Sequence, residues 1–246
     1  FETSPISRIG GELGVGRRIN PHFDVSDRRA TAAVRIESAP KRWLRFGAAA
    51  KRDNVHFGEV ATTGVTRGGG DITIDTRVDP AFPRNAVHAV VGLDRLQFTT
   101  ARAVQRHADL RGYIGLFGQS VLAVRGVSVT TDKPLPAFEQ NLLGGAANLR
   151  GYRAGYKAGD NLVATSLELR VPLTSPLSVG RVGVKAFVDW GTVYGVGESL
   201  KDQRLVDRGI GGGAYLQLTL LSISLDVARS RQGDVRYAFG MGVTFK

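Results

Sequence analysis

Large apolar side chains recur at every second position along this chain, and that period of two decides what it can fold into. Tyr237, Phe239, Met241, Val243 and Phe245 stand against Ala238, Gly240, Gly242 and Thr244. Leu221, Ile223, Leu225 and Val227 alternate with Ser222, Ser224, Asp226 and Ala228. Val163, Thr165, Leu167, Leu169 and Val171 alternate with Ala164, Ser166, Glu168 and Arg170, and Val182, Val184, Ala186, Val188 and Trp190 with Gly183, Lys185, Phe187 and Asp189. Successive side chains of a strand point to opposite faces, so the pattern specifies sheets with one apolar face. No stretch reaches the ~18 consecutive apolar residues that a membrane helix needs. Glycine, 32 of 246 residues, suits turns and closely approaching strands better than helix interiors.

Alternation fits two architectures. A soluble sandwich turns its apolar face inward; a membrane barrel turns it to lipid and lines a wet lumen with the other face. Three features favour the barrel. The segments are long enough, about nine to eleven residues, for a tilted strand to span a bilayer. Several turns read as very short, such as those near Thr219 and at Ser38-Ala39-Pro40. The last segment ends on Phe245, where an interfacial aromatic would sit. About thirteen segments are expected, near 6–16, 28–37, 41–52, 54–66, 70–79, 85–98, 103–117, 119–130, 161–172, 181–194, 208–218, 220–229 and 235–245. Single-chain barrels have even counts, so either the count is off by one or strands are missing at the N-terminus. The expected fold is all-β: an antiparallel transmembrane barrel with about 12–14 strands in this chain, one domain over residues 1–246, N-terminally incomplete.

Composition narrows the chemistry. The formal charge is +11, from 33 Lys and Arg against 22 Asp and Glu. These bases are spread along the chain without the clustered, aromatic-interleaved run of a nucleic-acid site, so a pore lining or an anionic lipid is the better partner for them. There is no cysteine, hence no disulfide, thiolate metal site or cysteine nucleophile. His22, His56, His88 and His107 lack metal-ligand spacing, and no GxSxG, HExxH or paired-carboxylate helix motif occurs. No catalytic, cofactor-binding or metal-binding residue is expected, and the chain reads as a non-enzyme. Phe1 is not a start methionine and no signal segment follows it, so a removed signal or a longer parent chain is expected.

One interval breaks the rhythm. Residues 131–160, TDKPLPAFEQNLLGGAANLRGYRAGYKAGD, form a connection longer than the ~12–15 residues beyond which loops are usually functional or disordered. Phe138, Leu142, Leu143, Leu149 and Tyr152 make it too apolar to be simply solvated. Gly144, Gly145 and Gly151 fit tight loop geometry better than a phosphate cradle, since no strand–GxGxxG–helix surrounds them. Gly209, Gly211, Gly212 and Gly213 read as a bend opening a strand. Trp43 and Trp190 read as aromatic anchors. Asp75, Arg77 and Asp79 read as a polar hairpin end.

Four segments, in order, carry a resemblance. Gly144-Gly145 followed by Asn148-Leu149-Arg150-Gly151-Tyr152 resembles the "GG…(V/L)RG(F/Y)" motif of the BamA/TamA superfamily of outer-membrane assembly and secretion barrels, the bacterial surface antigens. Residues 75–84, DTRVDPAFPR, resemble its "DTRDNPxFPxxG" hairpin, with Asn85 in place of the usual glycine. Phe187-Val188-Asp189-Trp190-Gly191 resembles its "FxDxG" strand. Residues 239–245, FGMGVTF, resemble its C-terminal strand signal, carried by Phe239, Gly240, Gly242 and Phe245; here Lys246 follows the aromatic. Residues 1–70 match in texture only.

The resemblance implies a sixteen-stranded barrel in the bacterial outer membrane, preceded by POTRA domains, that inserts barrel proteins or exports a partner protein. It implies outer-membrane lipid and an unfolded or exported protein as partners, with periplasmic chaperones or lipoproteins as further ones, and no cofactor. It also implies that the loop folds back into the lumen, where Arg150 meets Glu168 and Asp189. The sequence independently puts those two acids on the polar phase of neighbouring strands. Two alternatives stay open: a passive channel, and the membrane anchor of a longer polypeptide such as a patatin-type lipase fusion, which the reading frame upstream of Phe1 would reveal.

Overall fold

The computed structural model describes residues 6–174, 180–203, 206–218 and 221–243. Phe245 and the turn near Thr219 lie outside them. The described strands follow in chain order as β1 (Arg8–Asn20), β2 (Val25–Lys41), β3 (Leu44–Phe57), β4 (Thr63–Asp75), β5 (Ala86–Gln97), β6 (Arg102–Gly115) and β7 (Val121–Thr131). Then come the short β8 (Asn141–Leu143) and β9 (Lys157–Gly159), and finally β10 (Asn161–Thr174), β11 (Gly180–Tyr194), β12 (Asp207–Leu218), β13 (Leu221–Ser230) and β14 (Val235–Val243). Twelve of them form one antiparallel sheet in which each strand pairs with its neighbour in sequence, β10 joining β7 directly. Strands β8 and β9 pair with each other inside the long connection. Among the described residues β1 and β14 are the two edges, with no ladder between them.

The sheet is inside out relative to a soluble protein. Leu13 is 87% exposed and Tyr237 84%, whereas Asp27 is 1% and Asp189 2% exposed. Apolar residues on the outward phase, such as Val34, Ile72, Val91, Ile210 and Phe239, stand free, while carboxylates of the inward phase are buried or half-buried against arginines. Burying charge costs several kcal/mol per ion unless it is paired, and exposing this much contiguous apolar surface to water is unfavourable. Both are resolved when the outer face meets lipid. Main-sheet strands of 9 to 17 residues have the reach to cross a bilayer. The fold is therefore an antiparallel transmembrane β-barrel.

Three sequence expectations are corrected. The segments at 41–52, 54–66 and 70–79 are two strands, β3 and β4, so the sheet has an even twelve rather than thirteen. The misleading feature is Gly68-Gly69-Gly70, which looks like a break but lies inside β4. A Cβ on Gly69 would stand 2.8 Å from the Asp94 Cα on β5, so the glycine permits close approach rather than a turn. Ser38-Ala39-Pro40 is also not a turn: it belongs to the end of β2, where the register slips between Ser38 and Lys41, and the chain reverses at Arg42-Trp43. A proline is tolerated at such an irregular position because no regular ladder bond is demanded of it. Gly209, Gly211, Gly212 and Gly213 lie in regular register within β12, opposite Asp189, Phe187, Ala186 and Lys185, so they make no bend.

Two clusters of buried apolar residues lie near the end that bears the long connection, the loop end; a third, Ala86, Tyr113, Val121 and Ala123, lies toward the opposite end. Val55, Phe57, Val65, Leu96, Phe98 and Ala103 surround Leu135. Leu162 and Ala164 of β10 pack with Leu143, Leu149 and Tyr152. The loop supplies part of both clusters, which is why its sequence is apolar.

Candidate functional site

The connection from residue 132 to 160 turns back into the lumen, and its centre is Arg150. The Arg150 Nε and Nη2 donate to Asp189 Oδ2 and Oδ1, each at 2.8 Å, a bidentate fork. Nη1 donates to Glu168 Oε2 at 2.6 Å and stands 3.5 Å from Asp226 Oδ2. Nη2 also donates to Ser166 Oγ at 3.1 Å, and the backbone N–H of Arg150 to Asp189 Oδ2 at 3.0 Å. The face of the guanidinium rests on Phe187, with Cζ 3.3 Å from the ring centroid, a stacking arrangement open to the planar arginine and not to lysine.

Strand register places these partners. Asp189 lies opposite Ser166, and Phe187 opposite Glu168, on the β10–β11 pair; Asp226 comes from β13, two strands further round. Arg170 Nε donates to Glu168 Oε1 at 2.7 Å, and Lys185 Nζ sits 2.8 Å from Asp226 Oδ1. Three cations thus face three carboxylates, a neutral set in which every acid has a cationic partner. Asp189 alone depends on Arg150 for its cation; its remaining donor is the Ser166 hydroxyl, at 2.7 Å.

Glycines let the loop backbone reach the wall. Gly151 has φ +91°, and a Cβ there would be 3.0 Å from backbone atoms of Arg229 and Ser230 on β13. Gly144 and Gly145, at φ +111° and +83°, turn the chain between Leu143 and Asn148, whose side-chain amide donates to Leu142 O and whose Oδ1 accepts from the Gly144 N–H. Leu149 is fully buried and Tyr152 nearly so. The Tyr152 hydroxyl donates to Arg208 O and accepts from the Arg231 N–H.

A second anchor of opposite polarity holds the first half of the loop. Glu139 accepts from Arg29 Nη1 at 2.8 Å and from Arg67 Nη2 at 2.9 Å. Arg29 also donates to Phe138 O, and the Phe138 ring packs between Phe57 and Phe98. So a loop cation meets acids of β10, β11 and β13, while a loop acid meets bases of β2 and β4. The same loop touches both edge hairpins: Arg153 donates to Pro21 O and His22 Nδ1 to Gly155 O in the β1–β2 turn, and Gln232 of the β13–β14 turn donates to Tyr156 OH.

At the other end, the connection 76–85 crosses toward the lumen. Arg181 of β11 lies over the Phe82 ring at 4.2 Å. Arg77 forks onto Asp75 with bonds of 2.8 and 2.9 Å, and that hydrogen bonding raises the Arg77 pKa above its usual range. Gly240 and Gly242 occupy the inward phase of β14 against Ser224 and Ser222, with Phe239 outward.

Sequence reasoning did not single out Ser166, Lys185 or Asp226 as partners of the loop, nor assign Phe187 its stacking role. All four share the inward phase of strands whose alternation was legible, so phase was the available signal. Glu139 lies in the loop, where no period marks it. Glu139→Gln is expected to cost about 1.5–3 kcal/mol in lost charge-assisted bonding and to expose residues 132–140 to protease while residues 144–157 stay protected. Mapping the cleavage sites checks this; simultaneous release of both halves would show that the two anchors are one.

Comparison with known proteins bears on the fold. Residues 3–245 match the Omp85 superfamily domain. Among solved structures, BamA from Haemophilus ducreyi lacking POTRA domains 1-3 superposes with a TM-score of 0.76 at 15% identity, over 96% of this chain and 59% of that one. CdiB from Acinetobacter baumannii superposes with a TM-score of 0.63 at 14% identity, over 96% of this chain and 47% of that one. This chain therefore spans roughly half of each of those structures. A comparison with curated proteins finds no match.

Proposed function

The chain belongs to the Omp85 superfamily, and we propose that it is an outer-membrane barrel of the protein assembly and translocation type. Its cargo would be an unfolded barrel protein entering the bilayer or a protein passing across it, with periplasmic chaperones or lipoproteins delivering the cargo. The observation that carries this reading is the loop fastened across the lumen by Arg150. A passive channel gains nothing from a plug held by a buried bidentate ion pair, whereas a barrel that admits a polypeptide needs a resting seal that cargo can displace. The phasing of Glu168, Asp189 and Asp226 around one arginine suits a latch: strong when closed, and open to competition from charged groups.

The test is reconstitution into liposomes. Urea-denatured outer-membrane barrel protein is added outside, and its folding is followed by heat-shifted electrophoretic mobility; export is followed by protection of a cargo protein from external protease. Acceleration of either over empty liposomes supports the reading. Ion conductance with neither activity would favour the channel instead.

A further inference from the structure

The barrel segregates its charges by face. Every Asp and Glu in the main-sheet strands takes the inward phase, from Glu12 and Asp27 to Asp207 and Asp226. The outward phase carries arginine. On β1 to β6 these are Arg17, Arg28, Arg52, Arg95, Arg102 and Arg106, all exposed. Each lies in the half of its strand nearer the loop end. Toward the opposite end the same outward phase is apolar, with Ile36, Phe46, Ile72, Ile74 and Leu110. Arg208 and Arg229 extend the basic rim onto β12 and β13. Among the described residues no carboxylate pairs with any of these arginines, whereas the lumen arginines are widely paired. Much of the +11 excess thus sits on the outside of one rim.

Two clusters are costly as they stand. Arg17 lies directly opposite Arg28 across β1–β2. Arg102 and Arg106 flank Val104, which lies opposite Arg95, so Arg95 is diagonal to both. Opposed like charges destabilise a strand pair, and diagonal neighbours on one face are only ~7–8 Å apart. Solvation alone does not explain why outward charge is of one sign and at one rim. Phosphate does: guanidinium groups bind it through paired N–H donors, and long arginine stems can lie along lipid while the heads reach the headgroup layer.

We propose that the outward arginine rim is a docking surface for phosphate-bearing lipid headgroups, with Arg95, Arg102 and Arg106 forming one phosphate site. The leaflet at the loop end is then the one carrying multiply phosphorylated lipid. This goes beyond the protein-handling reading and holds or fails independently of it.

The experiment uses the detergent-folded protein and native mass spectrometry, with lipid A (two phosphates) and phosphatidylcholine as competing probes. Wild type should retain lipid A and shed phosphatidylcholine. The Arg95→Gln/Arg102→Gln/Arg106→Gln variant should bind lipid A roughly a hundredfold more weakly, on the usual contribution per basic residue at a lipid surface. Arg8→Gln/Lys41→Gln/Arg42→Gln removes the same charge at the opposite end of the barrel and should bind like wild type. Heat-shifted mobility confirms folding; if the first variant does not fold, Arg95→Gln alone should still weaken binding about fivefold. Equal retention of both lipids overturns the proposal, as does wild-type binding by the arginine variant or an equal loss in the control. Complete displacement of lipid A by soluble polyphosphate at matched phosphate would assign the rim to a free polyanion instead.

Discussion

Arg150→Ala is expected to release the centre of the loop from the barrel wall, destabilise the fold by about 3–5 kcal/mol and abolish the proposed cargo insertion or export. The cost falls unevenly on its partners. Glu168 keeps Arg170, and Asp226 keeps Lys185. Asp189 is left buried without a cation, with the Ser166 hydroxyl and, only while the loop stays seated, the backbone N–H of residue 150 as donors. Adding Asp189→Asn to Arg150→Ala should therefore recover much of the stability, because the stranded charge is gone. It should not recover activity, because nothing refastens the loop. Arg150→Lys should restore part of the stability and little activity: an ammonium can meet one acid, but cannot fork onto Asp189, reach Glu168 and stack on Phe187 together. Thermal unfolding, protease mapping of residues 144–157 and the liposome assay separate these outcomes. A protected loop and intact activity in Arg150→Ala would remove the latch from the mechanism.

Much of this site was legible because a strand's phase is a digital property. Once Val163 to Val171 and Val182 to Trp190 were seen to alternate, Glu168 and Asp189 had to share the inner face. The same logic placed Asp226 and Lys185 inside, without saying which loop residue they met. That pairing depends on how far the loop reaches, a three-dimensional quantity with no period. Glycine caused two of the three errors, and Pro40 the third. Gly68-Gly69-Gly70 looks in sequence like a break, yet it lies within β4, where β5 passes too close to Gly69 for a side chain. Glu139 was invisible for the complementary reason: an acid in a loop reads as solvated until Arg29 and Arg67 are found beside it. The outward arginines were visible only as a net charge, since their meaning comes from the face and the rim they occupy.

The inner face of β12 supplies the second large effect. Gly209 lies opposite Asp189 on β11 and Ser230 on β13, in regular register. A Cβ built on it would overlap the carbonyl group of Arg150. The glycine is the space into which the loop backbone fits. Gly209→Val should push the Arg150 backbone off the wall by more than the few tenths of an ångström that its hydrogen bonds tolerate. The N–H and Nε bonds to Asp189, now 3.0 and 2.8 Å, would lengthen past useful geometry. Valine has high β-propensity, so the strand itself should not weaken, and far-ultraviolet circular dichroism should stay β-dominated. Activity should fall as far as in Arg150→Ala, with residues 144–157 cleaved at similar rates. Ile210→Val, one residue along and facing outward, serves as the control and should be close to neutral. The decisive measurement is the double variant Gly209→Val/Arg150→Ala. If both changes act by unseating the same loop, their effects do not add, and the double variant is no less active or protected than either single one. Additive losses of thermal stability would mean that Gly209 supports the barrel wall rather than the seat of the loop.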